Sequence, residues 1–187
     1  MRRCFGILLC VLAAGAAAGR AQVVESANAR QFSISAGGMA SGFEPGYEPG
    51  ANTPLIGLGT YVDVHFTHWI QVEGEGRWLY FNQYQGEHEA NYMIGPRVPI
   101  KHFGRAQVYG KALIGVGKMT YPFSYGYGTF TALAYGGTLD YKLSRKLTLR
   151  AVDFEYQQWP KWVDPSTGKN TQMCPYGVSV GMAYRVF

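Results

Sequence analysis

The chain has 187 residues, 17 Lys and Arg against 12 Asp and Glu, and three cysteines. Its first segment has the form of an export signal. Arg2 and Arg3 precede an apolar run from Cys4 to Ala18, and Gly19-Arg20-Ala21 has small residues at cleavage offsets, so residues 1–21 are expected to be removed before Gln22. Without Arg2, Arg3 and Arg20 the balance falls to about +2, which argues against a nucleic-acid partner. Cys4 and Cys10 leave with the signal, so Cys174 remains alone and a disulfide-stapled secreted domain is excluded. Beyond the signal no apolar stretch reaches 18 residues, so a membrane crossing would have to be made by strands.

Residues 22–187 are long enough for one domain. Eight strands are predicted, at about 30–40, 55–66, 70–81, 90–99, 106–118, 129–143, 147–157 and 174–186. In the second, Ile56, Leu58, Thr60, Val62, Val64 and Phe66 share one face, and Gly57, Gly59, Tyr61, Asp63 and His65 share the other. The third sets Ile70, Val72, Gly74, Gly76, Trp78 and Tyr80 against Gln71, Glu73, Glu75, Arg77, Leu79 and Phe81. The fifth sets Ala106, Val108, Gly110, Ala112, Ile114 and Val116 against Gln107, Tyr109, Lys111, Leu113, Gly115 and Gly117. One face of each ribbon is free of charge. In the seventh strand Arg150 and Asp153 have opposite parity, which predicts a bulge near Ala151–Val152.

The connections alternate in length. Long ones fall near 41–54, 82–89, 119–128 and 158–173. Short ones centre on Thr67-His68-Trp69, on Lys101 to Arg105, and on Ser144-Arg145-Lys146. Ten tilted residues rise about 25 Å, the height of an outer-membrane apolar band. The pattern predicts an all-β fold: an eight-stranded antiparallel up-and-down transmembrane β-barrel.

The tail Ser179-Val180-Gly181-Met182-Ala183-Tyr184-Arg185-Val186-Phe187 resembles the C-terminal insertion signal of bacterial outer-membrane barrels, with Ser179, Gly181, Tyr184, Val186 and Phe187 at the matching places. Ile94-Gly95-Pro96-Arg97, the run from Tyr109 to Gly117, Leu149-Arg150 and Glu155-Tyr156-Gln157 are similar to the small OmpA-like outer-membrane β-barrel family. That resemblance implies a barrel inserted by the outer-membrane assembly machinery. It fixes no single activity, because members serve as anchors, adhesins, lipid-modifying enzymes or proteins of unknown role.

In such a barrel Glu73, Glu75, Arg77, Arg97, Lys111, Asp140, Arg150, Asp153, Glu155 and Arg185 converge on a narrow interior. Glu73 and Glu75 have the form of an acid–base pair. The reading adopted is a salt-bridged plug, since unpaired buried charge is costly. His65, His68 and His102 lie by short turns and His88 in a long loop, and no Cys or carboxylate completes a zinc set, so no metal or cofactor is expected. Trp69, Trp78, Tyr80, Phe81, Tyr92, Trp159 and Trp162 are expected in an interfacial girdle. Tyr121, Phe123, Tyr125 and Tyr127 form a candidate surface-recognition loop, and Phe43-Glu44-Pro45-Gly46 is nearly duplicated by Tyr47-Glu48-Pro49-Gly50. The strand glycines introduce no helix and so make no phosphate loop.

The expected role is a monomeric, non-catalytic barrel in the bacterial outer membrane, structural or surface-interacting. Its partners would be outer-membrane lipids, the assembly machinery and an extracellular ligand on the long loops. The alternatives are a lipid A deacylase or acyltransferase, for which no Ser–His pair on one strand is evident, and a soluble lipocalin-like carrier, whose usual Gly-x-Trp entry is missing from the first strand. A passive pore is a weaker variant of the first role.

Overall fold

A computed structural model describes residues 32–46, 54–67, 69–81, 85–124, 126–164 and 168–186. Alternation of small or apolar residues with polar ones drives nine strands: β1 (Ser33–Glu44), β2 (Leu55–His65), β3 (Gln71–Phe81), β4 (His88–Phe103), β5 (Ala106–Thr120), β6 (Tyr127–Lys142), β7 (Leu147–Val163), β8 (Asn170–Met173) and β9 (Tyr176–Arg185). Every pairing is antiparallel. Neighbours in sequence pair from β1 to β7, and β9 bridges β7 and β1, closing an eight-stranded barrel. The predicted signal segment 1–21, together with His68, Tyr125 and Phe187, lies outside the described residues, as does the second copy of the Glu-Pro-Gly repeat.

The last predicted strand, 174–186, is present as β9 and starts two residues later. Pro175 has no N–H for a ladder, and β8 and β9 meet at Cys174-Pro175, where Gln157 N donates to Pro175 O at 2.7 Å. β8 pairs with Trp159–Val163 at the end of β7, so the expected long loop at 158–173 is largely a two-stranded extension. β4 also runs further than expected. Its hairpin to β5 turns on Gly104-Arg105, and Gly104 has φ +58°, a value a tight hairpin turn gives to glycine. Short turns gather at one end and the longer connections at the other.

The two faces separate as the alternation requires. Leu58, Ile94, Ile114 and Val180 point outward and are at least half exposed, whereas Glu73, Arg77, Arg150 and Glu155 are fully buried. The bulge expected in β7 is present. Leu139 pairs with Val152 and Asp140 with Arg150, so Ala151 is left over and Arg150 and Asp153 both face inward.

Towards the long-loop end apolar side chains join the interior, beside the buried pair in which Asn91 Nδ2 donates to Glu89 at 2.7 Å. Met93, Leu113, Met119, Ala132, Ala134, Trp159 and Met173 form one cluster, and Phe43, Leu55 and Leu79 another. Gly117 makes this possible, because a Cβ there would lie 2.2 Å from the Trp159 ring.

Candidate functional site

Ten ionisable groups from six strands meet inside the barrel. Eight strands enclose a space that side chains can fill, so inward residues of facing strands come into direct contact. Nearest the short turns, the Arg97 guanidinium reaches Asp63 at 3.3 Å and Asp140 at 2.6 Å, and lies 3.7 Å over the Tyr109 ring. Arg150 follows. Its Nη2 lies 2.7 Å from Glu73 and 3.1 Å from Asp63, its Nη1 3.2 Å from Asp153, and its plane covers Tyr61 at 3.7 Å.

Lys111 occupies the middle. Its Nζ is 3.1 Å from Glu73, 3.1 Å from Glu75, 2.9 Å from Asp153 and 2.9 Å from Glu155. Glu73, Glu75 and Asp153 could together hold a cation, and the Lys111 ammonium bonds to all three. Arg77 completes the network, with Glu155 at 2.9 Å, Glu75 at 3.2 Å and the Phe43 ring at 4.3 Å. From there a polar chain climbs towards the apolar cap. Gln157 Nε2 donates to Glu155 at 2.7 Å, and Trp159 Nε1 donates to Gln157 at 2.9 Å.

Of the charged residues predicted to converge, the structure brings together Glu73, Glu75, Arg77, Arg97, Lys111, Asp140, Arg150, Asp153 and Glu155. Arg185 does not join them. It lies at the last rung of β9 and is exposed, because the barrel ends there. Sequence reasoning left out Asp63, Gln71, Thr138, Gln157, Glu87, Glu89 and Asn91, all buried. Asp63 and Gln71 had a usable signal, since they share parity with residues already placed inside. Glu87 and Glu89 fall in the segment 82–89 that the sequence marks as a long connection.

The aromatic expectations divide. Trp69, Tyr80, Phe81 and Tyr92 are exposed on the outside, and Trp78 Nε1 donates to Tyr92 Oη at 2.9 Å. Trp159 and Trp162 are buried instead, because β7 continues past residue 157 and an irregularity in its pairing with β8 between Trp159 and Trp162 lets two residues of opposite parity both turn inward. Tyr121 is also buried. It donates to Val163 O at 2.8 Å and packs on Trp162, so it holds the extension to the barrel and presents no recognition surface. Burial, reinforced by Asp164, holds its phenol above the usual range. Phe123 and Tyr127 are exposed, the latter by 88%. Within the tail, Ser179 turns inward onto Ser41 at 2.8 Å, Gly181 is half-buried, and Tyr184 and Val186 face outward.

His88 lies in β4, not in a loop. Its Nδ1 is 3.1 Å from Gly86 O and its Nε2 3.0 Å from Thr120 Oγ1, on the outward face at the long-loop end. His102 is exposed and His65 half-buried. Cys174 is half-buried.

Solved structures of outer-membrane barrels share this architecture. The N-terminal β-barrel domain of Pseudomonas aeruginosa OprF superposes with a TM-score of 0.54 at 12% identity, over 83% of this chain and 99% of that one. Neisserial surface protein A gives 0.55 at 9% identity, over 83% and 97%. No curated protein matches the sequence. The family described as outer membrane protein beta-barrel domain matches residues 7–185, nearly the whole length, and the chain belongs to that family of outer-membrane barrels.

Proposed function

We propose that this protein is a monomeric, non-catalytic component of the bacterial outer membrane, with an envelope structural or surface-interaction role and a lumen sealed by its own side chains. The interior network carries the reading. Four cations and six carboxylates, none more than 8% exposed, interlock at contact distances, and an apolar layer lies above them. Such packing leaves an ion no hydrated path. In this reading residues 1–21 are cleaved near Ala21, the tail from Ser179 to Phe187 engages the assembly machinery, and the long-loop end faces the exterior. Phe123 and Tyr127 then supply exposed aromatic surface for an extracellular ligand. Planar-bilayer recording of the refolded chain is the test. Absence of steady unitary conductance is expected, and reproducible ion-selective openings would overturn the sealed lumen. Recovery of the protein in the salt-soluble periplasmic fraction would overturn the membrane placement.

A second reading, a lipid-modifying enzyme, is favoured by the His88–Thr120 pair. In the tautomer that carries its proton on Nδ1 towards Gly86 O, His88 presents Nε2 as acceptor to the Thr120 hydroxyl. Thr120 Oγ1 could then take an acyl group from an ester while His88 passes the proton to the departing alkoxide, and water would release the acid. Mass spectrometry of lipid A from expressing cells separates the readings. Acyl loss that depends on both His88 and Thr120 would replace the first reading by the second.

A further inference from the structure

The short-turn rim carries Lys101, Arg105, Lys142, Arg145, Lys146 and Arg185, all exposed, and among the described residues none is ion-paired. The nearest described carboxylates, Asp63 and Asp140, turn inward to Arg97 and Arg150. Among the described residues the exposed charges of this rim are therefore all cationic. The rim is also aromatic: Lys101 Nζ lies 4.9 Å from the centroid of Phe103, and Lys146 Nζ 5.7 Å from that of Tyr184. Both rings face outward and are at least half exposed, so these charges sit at the perimeter, where a membrane interface would meet the barrel.

Above Tyr184 the outer wall is hollow. The outward residues Gly38 and Ala40 of β1 are small, while Leu58, Leu149, Val180 and Met182 stand on either side. Together they line a shallow, open apolar groove of about 670 Å³ on the outer wall. Register joins groove to rim. Met182 pairs with Gly38 and Leu149, and two residues on, about 7 Å along the strand, Tyr184 pairs with Ala36 and Leu147. Arg185 N donates to Lys146 O at 2.7 Å, which holds both cations at the groove's foot.

We infer that this groove and the cations below it form a site for an anionic phospholipid of the leaflet on the short-turn side. One acyl chain lies over Gly38 and Ala40, and the phosphate lies at Lys146, Arg145 and Arg185. The inference rests on the membrane reading above. An aqueous polyanion would use the cations and leave the groove unused, so a lipid explains both features.

The full chain, refolded in detergent, is exchanged into mixed micelles with phosphatidylglycerol or with phosphatidylcholine of the same acyl composition. Bound lipid is then counted by native mass spectrometry. Retention of phosphatidylglycerol over phosphatidylcholine is expected. Arg145→Gln and Lys146→Gln should each lower it about fivefold, the share of one interfacial cation. Gly38→Leu with Ala40→Leu should lower it as well; a Cβ at Gly38 comes no nearer than 3.8 Å to any neighbour, so the longer side chain fills the groove without forcing the wall. Equal retention by the charge variants, by the groove variant or of the two lipids overturns the site. So does displacement of the lipid by glycerol phosphate, which identifies an aqueous anion site. Heat-modifiable migration is read on every variant, because a heat-modifiable protein without lipid selectivity refutes this site alone, whereas a wild-type chain that never enters micelles refutes the membrane reading.

Discussion

Replacing Lys111 by Met removes the cation on which four carboxylates converge at 2.9–3.1 Å. Methionine nearly conserves the volume, so the cost is electrostatic. Each carboxylate keeps another partner: Arg77 holds Glu75 and Glu155, and Arg150 holds Glu73 and Asp153. The formal balance of the network moves from two to three excess negative charges. Breaking a buried pair by removing one member costs about 3–5 kcal/mol, and this loss should fall in that range. Buried charges are screened little, so it should persist in 1 M salt. Equilibrium urea unfolding in micelles, followed by the heat-modifiable band, measures it. Lys161→Met, at an exposed position, is the control and should lie within about 0.5 kcal/mol of wild type. Adding Glu155→Gln to Lys111→Met restores the charge balance and should recover part of the loss, giving a coupling energy of about 0.5–3 kcal/mol. If Lys111→Met unfolds with the wild-type midpoint, the network contributes nothing to stability and the argument fails.

Brominated lipid should quench Trp69 and leave Trp159 bright, since Trp69 is 58% exposed and Trp159 not at all; single-Trp variants read this directly. Gly117→Val should displace the Trp159 ring, seen as a red-shifted emission and a loss of about 1–3 kcal/mol from overpacking. Tyr121→Phe deletes the bond to Val163 O and should cost about 1 kcal/mol, with faster proteolysis of the β7–β8 extension as its local signature.

The barrel was legible because its code has period two. Parity alone places Glu73, Glu75 and Arg77 on one side of β3, and Ile114 and Lys111 on opposite sides of β5. Ala151 was legible for the same reason, as Arg150 and Asp153 can share a side only across an extra residue. The ends of the strands were not. Trp159 and Trp162 look like interfacial residues until β7 is known to continue to Val163, and only its pairing with β8, a tertiary fact, carries it there. Tyr121 is likewise decided by Trp162, 41 positions away in sequence. The partner of each interior charge was also hidden, because Lys111 meets Asp153 and Glu155 across the lumen and no sequence spacing encodes that distance. Asp63 is different. Its parity, shared with Tyr61 on β2, places it inside from the sequence alone.

The interior charges also fix register, and the bulge allows a sharp test of this. A one-residue slip turns every side chain of a strand to the opposite face, and each Lys or Arg sent to lipid at mid-membrane costs about 2–4 kcal/mol. Ala151 is the unpaired residue on β7: Arg150 pairs with Asp140 and Val152 with Leu139, while on the other edge Arg150 pairs with Gly181 and Asp153 with Ser179. Deleting Ala151 would leave Arg150 and Asp153 two apart, still on the inner face, with a regular ladder on both sides. That variant should fold and keep its heat-modifiable form. Deleting Ala112 removes a residue from β5 that is paired on β6 with Tyr135, and it gives Lys111 the parity of Ile114 and opposes it to Leu113. Either Lys111 or the outward row from Ile114 must then turn to the wrong side, and this variant should fail to fold. Two deletions of the same amino acid thus have opposite expected outcomes. If both fold, or if the Ala151 deletion is the one that fails, parity does not set the register of this barrel.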